Sequence, residues 1–179
     1  MAMSRPLESK DQESKGSLVA QVSSPVQAFQ ATRRNLPHFQ EPGRAYFLTW
    51  RCRPHRTLAP EERDVVLAAL LHYNDAKWKV YTAVILPDHV HALVQPISHP
   101  EGGVYNLAEI IHSVKRYSVF VINKRMNAHG SIWQDERYDR IIRDEAEFLE
   151  KSNYIRNNPV KAGLAEQPEE YAWLYERGI

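Results

Sequence analysis

Two histidines, His89 and His91, are separated by a single residue within an otherwise aliphatic run. Side chains alternate between the faces of a strand, so both imidazoles would point to one face, about 7 Å apart along the strand, and Val90 to the other. Such a pair can bind one divalent ion when a third ligand arrives from elsewhere in the fold. The alternative is two histidines on the wet face of a half-buried strand, and the short motif alone favours that simpler interpretation.

A tyrosine and an asparagine four residues apart, Tyr154 and Asn158, form the second candidate group. On a helix they would share one face, within about 6 Å along the axis, where a phenol could attack and an amide oxygen could bind a metal. Pro159 disfavours helical backbone at the preceding residue, so the direction of the Asn158 amide stays open. The structural alternative is a half-buried helix aromatic followed by a C-terminal cap.

The elements that must position these groups follow from periodicity and turn chemistry. Strands are predicted at 44–51, 79–86, 89–95 and 137–143, and helices at 60–73, 107–126 and from 144 to a stop at Pro159. Pro87 and Asp88 turn the second strand directly into the third, so these two form an antiparallel hairpin. The order β-α-β-β-α-β-α predicts an α+β split βαβ fold. In that fold two helices pack on one face of an antiparallel-dominated sheet and a last helix crosses near it.

Length and composition fit one compact body of 41–165 with a flexible N-terminal arm, 1–40, and a C-terminal extension, 166–179. No apolar run approaches the roughly 18 residues of a membrane span, and the first residues lack a secretory signal, so we expect a cytoplasmic protein with no membrane partner. Cys52 is the single cysteine, which excludes an internal disulfide and a thiolate metal cluster.

Charge is distributed unevenly although the chain carries a net charge of only +1. The predicted helix 107–126 holds four basic residues against one acid, whereas 144–179 is acidic. A basic stripe on one helix can contact phosphates, and so can two arginines of the arm, although a merely solvated helix face explains the same charges. The candidate DNA-binding residues are Arg33, Arg34, Lys115, Arg116, Lys124 and Arg125. Trp133 could stack on an unpaired base or belong to the core.

Five segments, taken together and in this order, resemble the REP-associated tyrosine transposases, which belong to the single-tyrosine HUH endonuclease superfamily of IS200-like transposases. They are Tyr46–Arg51, Pro87–Leu93, Ile132–Gln134, Tyr138–Arg143 and Tyr154–Leu164. The resemblance implies a ferredoxin-like fold whose C-terminal helix carries the nucleophile. It also implies cleavage and rejoining of single-stranded DNA near hairpin-forming repeats.

Carried onto this chain, the resemblance implies that His89 and His91 bind the metal, that Tyr154 attacks the DNA, and that Asn158 completes the metal site. The cofactor would be Mg²⁺ or Mn²⁺, and the protein would act as a monomer or a homodimer. Two other tyrosines could compete for the nucleophile's role, Tyr117 on the basic helix and Tyr138 in a strand.

Two other function classes remain open on the sequence. One is a non-catalytic DNA-hairpin-binding protein derived from a transposase. The other is an unrelated α/β domain in which the histidine pair binds a structural metal, with His99 or His112 as the nearest candidates for a third ligand.

Overall fold

A computed structural model describes residues 25–26, 30–33 and 37–178, with side chains from residue 40 onward. Its strands are β1 (Pro25–Val26), β2 (Gln30–Arg33), β3 (Pro37–Gln40), β4 (Tyr46–Cys52), β5 (Trp78–Ile85), β6 (His89–Pro96), β7 (Val104–Tyr105), β8 (Trp133–Ile141) and β9 (Leu174–Glu176). Its helices are α1 (Pro60–Leu71), α2 (Leu107–Met126), α3 (Glu145–Arg156) and α4 (Asn158–Lys161), and a 3₁₀ turn spans Pro168–Glu170. None of the helices in this described part is long and apolar enough to cross a membrane.

The main sheet has five strands in the order β8-β4-β6-β5-β9, and every neighbouring pair is antiparallel. Strands β4, β5, β6 and β8 of this sheet give the ferredoxin-like arrangement, with β4 and β6 in the centre. The predicted hairpin is present, because the Leu86 N–H donates to the His89 carbonyl at 2.8 Å and closes the tight turn. The α+β fold and the β-α-β-β-α-β-α order are therefore confirmed.

Each face of the sheet has its own hydrophobic core because side chains alternate along the strands. Leu48, Trp50 and Val90 point to the face covered by α1 and α2. Phe47 and Leu93 point to the opposite face, where α3 packs chiefly on β5 and β6. We call these the helix-pair face and the histidine face.

Helix α3, which carries Tyr154, begins at a side-chain cap, since the Asp144 carboxylate accepts the Glu147 N–H at 2.8 Å. The prediction that Pro159 ends this helix is wrong. The break lies at Asn157, and Pro159 sits in the first turn of the short helix α4. A proline fits a first turn because its φ is already helical and the missing N–H would have no intrahelical partner there.

The predicted C-terminal extension, 166–179, is joined to the body in its described part. Strand β9 pairs with β5 at the sheet edge, and the Tyr171 hydroxyl donates to the Ile85 carbonyl at 2.9 Å. The Arg156 guanidinium, at the end of α3, is paired with Glu169 and Glu176. This segment therefore ties the end of the α3 helix to the sheet edge.

The predicted N-terminal arm, 1–40, falls mostly outside the described residues. Within it β1 pairs with β7, and β2 pairs with β3 as a hairpin. The candidate Arg33 ends strand β2 but its side chain is outside the described part, and Arg34 lies outside the described residues altogether.

Candidate active site

Strand β6 places His89 and His91 side by side on the histidine face. Val90 between them is buried in the other core, as the strand period requires. The two imidazole centroids lie 4.7 Å apart, closer than the backbone rise alone would set, because the rings turn toward each other at an interplanar angle of 81°. Two ring nitrogens can converge on one ion from such an arrangement.

Each histidine is held by a hydrogen bond at Nδ1. The Thr49 Oγ1 atom, directly across the strand pair, lies 2.7 Å from Nδ1 of His91. The Asp88 carboxylate lies 2.6 Å from Nδ1 of His89. Within the described part of the chain, neither Nε2 atom makes a hydrogen bond. With Nδ1 engaged by an orienting partner, Nε2 is the nitrogen that can bind a metal.

Burial keeps the second histidine neutral. His91 is only 5% exposed, and this burial, together with the nearby charges of His89 and Arg51, lowers its pKa to about 3. A neutral imidazole is the form that binds a metal. Partial burial raises the pKa of Asp88, but the hydrogen bond and charge of His89 outweigh it. The net pKa is lowered, and Asp88 stays ionised.

Helix α3 brings Tyr154 to this histidine pair within one chain. The hydroxyls of Thr82 on β5 and Ser152 on α3 are 2.9 Å apart and fix the helix against the sheet. The Tyr154 ring lies 5.3 Å from the His91 ring and 5.9 Å from Phe47, between centroids. Its side chain is 39% exposed, so one edge packs on the site and the other is open to a substrate.

An open cleft of about 650 Å³ lies beside Tyr154 on the outer side of α3 and α4. Besides Tyr154, its lining residues are Glu150, Asn153, Asn157, Val160 and Lys161. The Lys161 ammonium stands 5.6 Å from the centroid of the Tyr154 ring. A phosphate held next to the phenol would therefore meet this cation.

Asn158 does not line that cleft. It is the first residue of α4, half-buried, and its amide makes no hydrogen bond to any residue the structure describes. If the α3 helix continued regularly, Asn158 would be rotated about 40° around the helix axis from Tyr154. Asn157 would be rotated in the opposite direction. Its role as the third metal ligand stays a prediction.

His99 and His112, the two histidines predicted as alternative ligands, stay apart from the pair. Across the described residues, no three His, Cys, Asp or Glu side chains come together to hold a metal. His99 is buried against Tyr105 and accepts the Glu101 N–H at Nδ1, whereas His112 is exposed on α2. The interpretation as a structural metal site with either of these as ligand finds no support in this part of the chain.

The four basic residues of α2 that were predicted to bind DNA lie across the sheet from the histidines. Arg116, Lys124 and Arg125 are exposed on α2, and the Lys115 ammonium donates to the Gln134 carbonyl at 2.5 Å. A groove of about 710 Å³ runs between α2 and β8. Its lining includes His112, Lys115, Arg116, Gln134 and Arg137.

The two alternative tyrosines and the candidate stacking residue Trp133 lie in different environments. Tyr117 is exposed on α2, on the far side of the sheet from His91. Trp133 belongs to the core, because it is buried and its Nε1–H donates to the Ser118 hydroxyl at 3.1 Å. It therefore offers no face to a nucleic-acid base. Tyr138 lies on the histidine face, with its ring centroid 6.4 Å from that of Phe47.

Sequence reasoning missed the residues that support the site: Phe47, Thr49, Asp88 and Lys161. Asp88 adjoins His89 in the chain, and that adjacency was the available signal. Thr49 could not be found in this way, because its role depends on the register that pairs β4 with β6.

Known proteins resemble this chain in fold and in sequence. A solved structure of a REP-associated tyrosine transposase bound to a REP hairpin is 19% identical, has a TM-score of 0.67, and covers 79% of this chain and 82% of that one. This likeness shows a shared fold.

Two curated proteins of Haemophilus influenzae are also similar. One, named as a REP-associated tyrosine transposase, is 29% identical over 96 residues, covering 51% of this chain and 53% of the relative. The other, which is uncharacterized, is 32% identical over 105 residues, covering 49% of this chain and 56% of the relative. The chain thus spans about half the length of these relatives. The sequence model of the family of IS200-like transposases matches residues 45–158, which is most of the described body. The chain belongs to that family.

Proposed function

We propose that this chain is a metal-dependent endonuclease and strand transferase for single-stranded DNA. It would cleave near hairpin-forming repeats through a covalent 5′-phosphotyrosine at Tyr154. The observation that carries the proposal is the 5.3 Å approach of the Tyr154 ring to His91, which is itself paired with His89. A nucleophile beside a candidate metal pair is the arrangement that phosphoryl transfer to a side chain needs.

The donor set suits a divalent cation. His89 and His91 would bind it through Nε2, with the Asn158 amide oxygen as the third ligand. Two neutral nitrogens and one oxygen suit Mn²⁺ well and Mg²⁺ adequately. When bound, the cation would withdraw charge from the scissile phosphate and leave coordination positions for its oxygens.

The covalent step balances as a transesterification. The Tyr154 phenol loses its proton, its oxygen forms a bond to phosphorus, and the bond from phosphorus to the 3′-oxygen breaks. That oxygen takes up a proton and becomes a 3′-hydroxyl, while the downstream strand stays on the protein through its 5′-phosphate. The ammonium of Lys161 can offset charge on the phosphate as the bonds exchange. Attack by another 3′-hydroxyl reverses the step and rejoins strands without ATP.

A DNA hairpin is the proposed partner for two reasons. The structural neighbour described above is bound to a REP hairpin, and exposed cations on α2 can contact duplex phosphates. The stem would then lie against the helix-pair side while the unpaired strand reaches the histidines.

A label-transfer experiment tests this proposal. A hairpin oligonucleotide with a single-stranded flank, labelled at its 3′ end, is incubated with the protein and Mn²⁺ or Mg²⁺ and then denatured. The label should move to the protein in the wild type and should not move in Tyr154→Phe, because the phenyl ring has no attacking oxygen. Tyr117→Phe is the matched control and should retain adduct formation. Hairpin binding without any adduct in the wild type would instead indicate the non-catalytic binder.

A further inference from the structure

We propose that Tyr138 is a base-stacking residue that holds an unpaired nucleotide next to the scissile phosphate. The inference rests on the proposed function, since it concerns the strand that enters the same site. It assigns a role to a side chain that neither binds the metal nor attacks the phosphate.

Tyr138 lies in line with the reacting groups across the sheet. It is directly opposite Thr49, which is directly opposite His91, so one row crosses β8, β4 and β6. Two strand spacings separate Tyr138 from His91, roughly 10 Å between backbones. A phosphate held at the histidines would leave a neighbouring base within reach of this ring.

The Tyr138 ring packs against the protein on one side and is exposed to solvent on the other. Its edge packs against Phe47, whose centroid is 6.4 Å away, yet 47% of Tyr138 remains exposed. Tyr154 packs against the same Phe47 at 5.9 Å. Two exposed tyrosines thus flank one buried phenylalanine, and a held aromatic face of this kind suits a base, which stacks on it whatever its identity.

The surroundings favour single-stranded DNA as the occupant. Cationic side chains stand on the same face, and helix α3 covers chiefly β5 and β6, so the route to the histidines is open on the side of β4 and β8. The cations of this face are Arg51, Arg140, Lys151 and Lys161, and the first three are paired with the carboxylates of Asp88, Glu147 and Glu150. Positive charge beside an exposed aromatic ring is the pattern of a single-strand binding track.

A fluorescence measurement that needs no cleavage tests the stacking directly. Hairpin oligonucleotides carry 2-aminopurine at successive positions of the single-stranded flank and are bound, without metal, to the Tyr154→Phe protein. Stacking on a tyrosine quenches this base, so one position should lose at least about half of its fluorescence. Tyr138→Leu in the same background should abolish the quenching, and Tyr138→Phe should keep it.

A second measurement ties the stacked base to the reaction. An abasic site at the quenched position should slow adduct formation by the wild type about 5- to 100-fold, the range expected for loss of one base stack. Tyr138→Leu should already be slow and should gain no further defect from the abasic site. Phe120→Leu, an exposed aromatic on the other face, is the control and should form the adduct at the wild-type rate when the protein is saturating.

The outcomes separate the two proposals. If Tyr138→Leu changes no position, or if Phe120→Leu removes the quenching instead, the base-stacking role is wrong. If the label described above is transferred to Tyr138, that residue is a nucleophile and the role is again wrong. If the wild type forms no adduct but the quenching still depends on Tyr138, the proposed cleavage fails while the stacking site stands.

Discussion

The two faces of the sheet differ in how their polar groups are held. On the histidine face, His89 and His91 each have a hydrogen-bond partner that sets the ring orientation, and Tyr154 is packed against one of them. On the helix-pair side, the exposed cations Lys124 and Arg125 project from the last turn of α2. Chemistry requires the first kind of arrangement, because a displacement of about 1 Å can cost a reaction 100-fold. Binding to phosphates tolerates exposed cations that are not held in one orientation.

This difference predicts that changes on one face alter rate and changes on the other alter affinity.

His91→Ala should reduce the rate of adduct formation by about 10³-fold or more, because a metal ligand supports several kcal/mol of transition-state stabilisation. The rate is measured under single-turnover conditions with saturating protein and Mn²⁺. His112→Ala, which removes an exposed histidine on the other side, should leave the rate unchanged. Normal cleavage by His91→Ala would show that this histidine is not part of the reacting site.

Thr49→Val keeps the side-chain shape and removes the hydroxyl that is hydrogen-bonded to Nδ1 of His91. We expect the apparent affinity for Mn²⁺ to fall about 10- to 100-fold, as is usual when a partner that orients a ligand is lost. High Mn²⁺ should restore most of the rate. An unchanged Mn²⁺ titration would mean that Thr49 does not orient the ligand, whereas Thr49→Ser should retain wild-type affinity.

The double change of Lys124 and Arg125 to glutamine should weaken hairpin binding about tenfold and flatten its salt dependence, with a logarithmic slope smaller by about 2. The rate at saturating protein should stay the same, since both residues lie away from the histidine face. Binding is measured by anisotropy over a salt series with Tyr154→Phe in the background. A fall in the saturated rate would break the division between the two faces.

The amino-acid pattern predicts much of this arrangement and misses the parts that depend on distant pairing. The alternation around Val90 is local and predicts the shared face of the two histidines correctly. The pairing of Thr49 with His91 joins residues 42 positions apart, and no local pattern specifies that register. The three-residue strand β9 is too short to show a period, and it forms because β5 offers it an edge. The break at Asn157 depends on how α4 restarts the helical backbone after it.

The contact between Tyr154 and His91 joins two parts of the same polypeptide, which has a consequence for genetics. If each molecule holds its own nucleophile and its own histidines, two copies damaged at different positions cannot rescue each other. A mixture of His91→Ala and Tyr154→Phe chains would stay inactive. A Tyr154→Phe chain would interfere with an intact one only by competing for the same hairpins.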